Sequence, residues 1–86
     1  MKIVVRAFGH AAAALGTKEL SLEASALTVN ELLAKLNDSI GGGGAHLAKE
    51  TFLIAIDGIE ISAIDGGNTQ IQEPSTVSLI PVSHGG

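Results

Sequence analysis

Apolar positions recur along this chain with two different periods, and the changes of period divide it into elements. From Lys2 to Phe8 the pattern K-I-V-V-R-A-F is rich in β-branched residues, with Ile3, Val5 and Ala7 on one face and Lys2, Val4, Arg6 and Phe8 on the other, which predicts a strand. Gly9 and Gly16 bracket His10 and the run Ala11 to Leu15, which has helical propensity but is too short to hold a helix by itself, so it reads as a wide turn. Thr17 to Glu23 alternates again, Leu20 and Leu22 against Glu19, Ser21 and Glu23, and predicts a second strand returning beside the first. Thr28 is a good N-cap and Glu31 falls three residues later, the capping-box spacing, so a helix starts there. Val29, Leu32, Leu33 and Leu36 form its apolar stripe, Asn30, Glu31, Lys35 and Asn37 its solvent side, and the pattern stops at Asn37-Asp38.

Four consecutive glycines, 41 to 44, then make a loop that His46, Lys49 and Glu50 continue. Phe52 to Asp57 is an almost continuous apolar run, which reads as a buried strand, and Asp57-Gly58 turns it into the short Ile59-Glu60-Ile61. Asp65-Gly66-Gly67-Asn68 is another turn cluster. Thr76 to Ile80 is the last strand, and Pro81, with no N–H to donate, ends its pairing. The order strand, strand, helix, strand, short strand, strand predicts an α+β layer pair, with a mixed sheet of four or five strands wrapped around one main helix. A β-grasp is the compact solution, with a domain over residues 1–81 and a flexible tail over 82–86.

Composition narrows the chemistry. With 86 residues there is room for one core and no separate catalytic domain. The absence of cysteine excludes a disulfide scaffold, a thiolate zinc site and a cysteine nucleophile. A net charge of −4 and only two aromatics, Phe8 and Phe52, argue against nucleic acid as a partner. Arg6 interrupts what would be a signal peptide's apolar region, and no apolar run approaches the ~20 residues of a membrane span, so the sequence predicts a cytoplasmic protein with no membrane partner.

The candidate chemistry sits in the last nine residues, S-L-I-P-V-S-H-G-G. Five residues past Pro81 reach at most ~17 Å, at about 3.3 to 3.6 Å each, enough for Val82, Ser83, His84 and Gly85 to enter a narrow channel in a partner. The reactive group delivered at the tip is the α-carboxylate of Gly86. A carboxylate is a poor electrophile until it is joined to the α-phosphate of ATP, so a partner has to supply the ATP site and Mg²⁺. The acyl adenylate can then take a sulfur donor, giving a thiocarboxylate, or a cysteine and then an amine, giving an amide.

End to end, the chain resembles the ubiquitin-like β-grasp sulfur carriers, a family that includes the molybdopterin synthase small subunit, the thiamine-pathway carrier, the ubiquitin-related modifier and the small archaeal modifiers. The resemblance is carried by K-I-V-V-R-A-F-G, T-V-N-E-L-L-A-K-L, I-A-I-D-G and S-L-I-P-V-S-H-G-G in order. It departs at Ala11 to Ala14, where the synthase subunit usually carries charge, at Glu73-Pro74-Ser75, and at His84, which looks more like the ubiquitin-related modifier. The resemblance implies a carrier or co-substrate rather than an enzyme, with no cofactor of its own. Its implied partners are a ubiquitin-activating-type adenylating enzyme, a desulfurase or rhodanese as sulfur donor, and a larger synthase subunit or other acceptor. Lysines of target proteins are the partners if the chain is a modifier.

The remaining signals are weaker. His10, His46 and His84 lie on separate loops without ligand spacing, so no metal site is expected. The glycine run follows a helix and lacks the Gly-Lys-Ser/Thr ending of a phosphate loop. Val4, Phe8, Ile80 and Pro81 fall where the resemblance implies a docking surface leading into the tail. If the helix covers the other face, Val4, Phe8 and Ile80 are an exposed apolar cluster.

Overall fold

In the computed structural model, which describes residues 1–40 and 47–82, the first alternating run forms strand β1 (Lys2–Ala7) and buries Ile3, Val5 and Ala7. A helix, α1 (His10–Leu15), connects it to β2 (Glu19–Glu23), which pairs antiparallel with β1 in the register Ile3 to Leu22 and Arg6 to Glu19. After β3 (Leu27–Thr28) comes the main helix, α2 (Val29–Ile40). Its start is the expected capping box: the Thr28 N–H donates to Glu31 Oε1 at 2.8 Å, and the Glu31 N–H donates to Thr28 Oγ1 at 3.1 Å. β4 (Phe52–Ile56), β5 (Ile59–Glu60), β6 (Gln70–Ile71) and β7 (Ser75–Pro81) complete the described chain.

The sheet runs β2-β1-β7-β4-β5, and its first and last strands in sequence lie parallel at the centre, Val5 beside Val77. A parallel pair needs a crossover, and α2 supplies it on one face only. Val29, Leu32, Leu33 and Leu36 of α2 are buried with Ile3, Val5, Ile54, Val77 and Leu79, and each such side chain contributes about 1.5 to 3 kcal/mol. The result is the expected β-grasp: a mixed five-stranded sheet around one main helix. No helix among the described residues is long and apolar enough to cross a membrane.

Five local expectations are corrected. The run after Gly9 is a helix rather than a wide turn; α1 is too short to stand alone, but Ala11 is fully buried in the core and the Gly16 N–H caps the end by donating to Ala12 C=O at 2.9 Å. Asn37 does not simply face solvent. Its side chain donates to Leu47 C=O at 2.9 Å and accepts from Leu47 N–H at 2.7 Å, holding the chain's return to the core as a neighbouring strand would. The helix itself continues past Asn37-Asp38 to Ile40. Lys49–Thr51 is a short helical turn rather than plain loop, and in the strand over 52–56 Phe52, Ile54 and Ala55 are buried as expected while Leu53 is exposed. The predicted glycine run 41–44 and His46 lie outside the described residues.

Candidate functional site

Four segments converge where β7 ends. Phe52 of β4 stands opposite Pro81, and the Val82 N–H donates to Thr51 C=O at 3.1 Å. Pairing therefore persists one residue beyond the expected stop, because proline removes only its own donor and leaves the next N–H free to bond. Thr51 is held in turn by the Lys49–Thr51 turn, its hydroxyl and N–H both donating to Ala48 C=O. From the other side, the Phe8 N–H donates to Leu79 C=O at 3.2 Å, which brings Gly9 against Pro81. Gly9 has φ 54° and ψ −130°, a backbone conformation open to glycine, and a Cβ there would lie 3.0 Å from Pro81 Cγ. His10 then lays its ring over Phe52, centroids 4.9 Å apart and planes tilted by 33°. The end of β7 is thus held by backbone bonds through Val82 on one side and by the close approach of Gly9 to Pro81 on the other.

Among the described residues, no element covers the face of the sheet opposite α2. Phe8, Leu53, Ile80 and Val82 are 40–49% exposed there, and Leu53 is the cross-strand partner of Ile80. Val4 is half-buried on the same face, between Ser21 and Thr76. An apolar group of this kind, continuous with the base of the tail, has the character of a protein interface. Leu53 was not among the residues anticipated for it. Its signal was obscured by the apolar neighbours Phe52 and Ile54, which hid the alternation. On the far side of Phe8, a groove of about 400 Å³ opens between α1 and the β1–β2 hairpin, with Ala12, Lys18 and the ion pair Arg6 to Glu19, 3.0 Å, along it.

Ser83, His84, Gly85 and Gly86 lie outside the described residues, so of the predicted tail the structure places Val82 alone. His10 lies beside Phe52 and has no second histidine near it among the described residues, and no described cluster of histidine and carboxylate groups could hold a metal. Asp57 and Asp65 are turn residues, as read from the sequence: Asp57 adopts φ 49° and its Oδ1 accepts from Thr76 N–H at 2.9 Å. The carboxyl of Glu60 is held below its ordinary range by hydrogen bonds from the Ser62 hydroxyl and backbone N–H, at the opposite end of β4 from Phe52.

The sequence pattern of the ThiS family matches residues 5–86, from within β1 through the terminal glycines. The chain belongs to the ThiS family. No curated protein matches it. Among solved structures, this ThiS-family chain is similar to the small archaeal modifier protein 1 of Methanosarcina acetivorans, at 23% identity over 99% of this chain and 96% of that one, with a TM-score of 0.75. Urm1 from Trypanosoma brucei is similar at 19% identity over 99% and 95%, TM-score 0.71. So is a chain in the complex of subunits 1 and 2 of the molybdopterin-converting factor from Helicobacter pylori, at 24% identity over the full length of both, TM-score 0.63. At these identities the structures show the fold, a ubiquitin-like β-grasp, and the family match adds membership of the ThiS family.

Proposed function

We propose that this ThiS-family chain carries sulfur on its terminal carboxyl. A carboxylate oxygen of Gly86 attacks the α-phosphorus of ATP held with Mg²⁺ by a ubiquitin-activating-type partner, and pyrophosphate leaves. The terminal sulfur of a persulfide on a desulfurase or rhodanese attacks the acyl carbon and AMP leaves; a thiol then cleaves the resulting S–S bond, forming a disulfide with the donor cysteine and leaving a thiocarboxylate as the nucleophile for an acceptor enzyme. The chain is then a co-substrate and supplies the tail, the docking face and the exit geometry. The observation that carries this reading is the family match running unbroken to Gly86, over a body whose last strand ends at an uncovered apolar face. Molybdopterin synthesis is the proposed end use, supported by the likeness to a chain of a two-subunit molybdopterin-converting factor; a larger synthase subunit is the corresponding partner.

The likeness to an archaeal modifier and to Urm1 favours a second use of the same carboxyl, an isopeptide bond to lysines of target proteins. Complementation of a strain lacking the protein separates these from an idle tail. The carrier reading expects loss of molybdenum-cofactor activity on deletion of Gly85 and Gly86, without high-mass conjugates. The modifier reading expects conjugates that vanish with the same deletion. Full function of the truncated protein overturns both.

A further inference from the structure

We infer that the groove between α1 and the β1–β2 hairpin is a socket in which the adenylating enzyme seats one large apolar side chain flanked by a carboxylate. This rests on the carrier reading and names how the partner is recognised. The groove has a volume of about 400 Å³, within the ~300 to 1,000 Å³ range of pockets that hold a ligand. Its apolar lining includes Phe8, half exposed, with Gly9 and Ala12. Alanine at position 12 is what leaves the space open, since any longer side chain on that helix face would enter it.

Charge selects the rest of the occupant. The chain is acidic overall, with nine carboxylates to five Lys and Arg, yet two of those five cations, Arg6 and Lys18, line this groove. Arg6 uses its Nε on Glu19, while Lys18 is exposed and has no carboxylate within ion-pair distance among the described residues. An acidic group on the partner is the complement, acting at the rim where charge governs specificity and encounter.

Continuity selects which protein it belongs to. Phe8 and Gly9 belong both to the groove and to the base of the tail, so a protein that takes the tail covers the groove as well. Before sulfur is attached, the tip offers two glycines and a plain carboxylate, and discrimination has to come from the body. An acceptor enzyme can read the thiocarboxylate sulfur itself. The socket therefore serves activation.

The test is ATP–pyrophosphate exchange by the adenylating enzyme of the same organism, with wild-type chain, Ala12→Leu, Lys18→Glu and Lys18→Arg. Ala12→Leu and Lys18→Glu are each expected to raise KM for the carrier about tenfold with kcat held within about twofold, while Lys18→Arg stays near wild type. Melting temperatures separate a blocked socket from a damaged fold, and Lys18→Glu, at an exposed site, keeps the test open if Ala12→Leu unfolds. Wild-type KM in both folded variants overturns the socket while leaving the carrier reading standing. A KM effect confined to the acceptor step overturns the assignment to activation. A wild-type chain that is never adenylated overturns socket and carrier reading together.

Discussion

Replacing Gly9 by alanine perturbs the tail base at its tightest point. At φ 54° and ψ −130° a side chain strains the backbone by about 1 to 3 kcal/mol, and the new Cβ sits 3.0 Å from Pro81 Cγ, so the ring has to move by a few tenths of an ångström. Against this, alanine lowers the entropy of the unfolded chain and returns at most about 1 kcal/mol. The net loss is about 2 kcal/mol, which for a domain of this size lowers the melting temperature by roughly 8 to 16 °C. Gly16→Ala is the control: its φ is 77° and ψ 10°, nothing lies within 4 Å of its Cβ, and the left-handed cost of about 1 to 2 kcal/mol is largely offset by the same entropy gain. Circular dichroism melts of both variants measure the difference, and Pro81→Ala combined with Gly9→Ala measures the contact itself. Removing the ring is expected to recover at least about 0.5 kcal/mol of the Gly9→Ala loss. Melting of Gly9→Ala within a few degrees of Gly16→Ala, or strict additivity with Pro81→Ala, refutes the clamp.

Asn37→Ala leaves the Leu47 N–H and C=O without the 2.7 and 2.9 Å bonds they now make; a loss of about 1 to 3 kcal/mol and faster exchange of the Leu47 amide are expected in denaturation and hydrogen-exchange measurements. Ile80→Thr with Leu53→Ser, both on the uncovered face, should weaken binding to the adenylating enzyme at least about tenfold by calorimetry, as loss of central interface groups does, while the pair still melts cooperatively. Because Glu60 titrates below its ordinary value of 4.5 in the fold, its contribution is present above that value and is lost as the pH falls through the lowered one. Glu60→Gln should therefore flatten the acid limb of the stability profile, with the two proteins differing above the ordinary value and converging as the pH falls through the lowered one.

The sequence exposed those parts of the fold whose signals are local. α2 was legible because its cap, its stripe and its length agree, and Thr28 and Glu31 bond as their spacing implies. α1 was not, since six residues fall short of independent stability and Ala11 gains its place only when the sheet is there to bury it. The small second sheet, Leu27–Thr28 with Gln70–Ile71, is too short on either side to show alternation. The expected tail, S-H-G-G, lies outside the described residues, and the surface leading to Val82 was legible only in part. Phe8 shares its strand face with Lys2 and Arg6, and Ile80 shares its face with Thr76 and Ser78, whereas Leu53 sits in an apolar run, and which face α2 covers is a property of the assembled sheet. The Gly9 contact with Pro81 joins positions far apart in sequence and leaves no mark on either alone.

The central claim is that Gly86 holds sulfur as a thio-acid, and intact mass after incubation with ATP, Mg²⁺, the adenylating enzyme and a sulfide source tests it most directly. A gain equal to exchange of one oxygen for sulfur is expected, with thiol-selective alkylation mapping to the terminal peptide. Since the chain has no cysteine, that label cannot arise elsewhere, and it separates the product from oxidised Met1, which has nearly the same mass. Formation of the adenylate with no alkylatable terminus contradicts the claim.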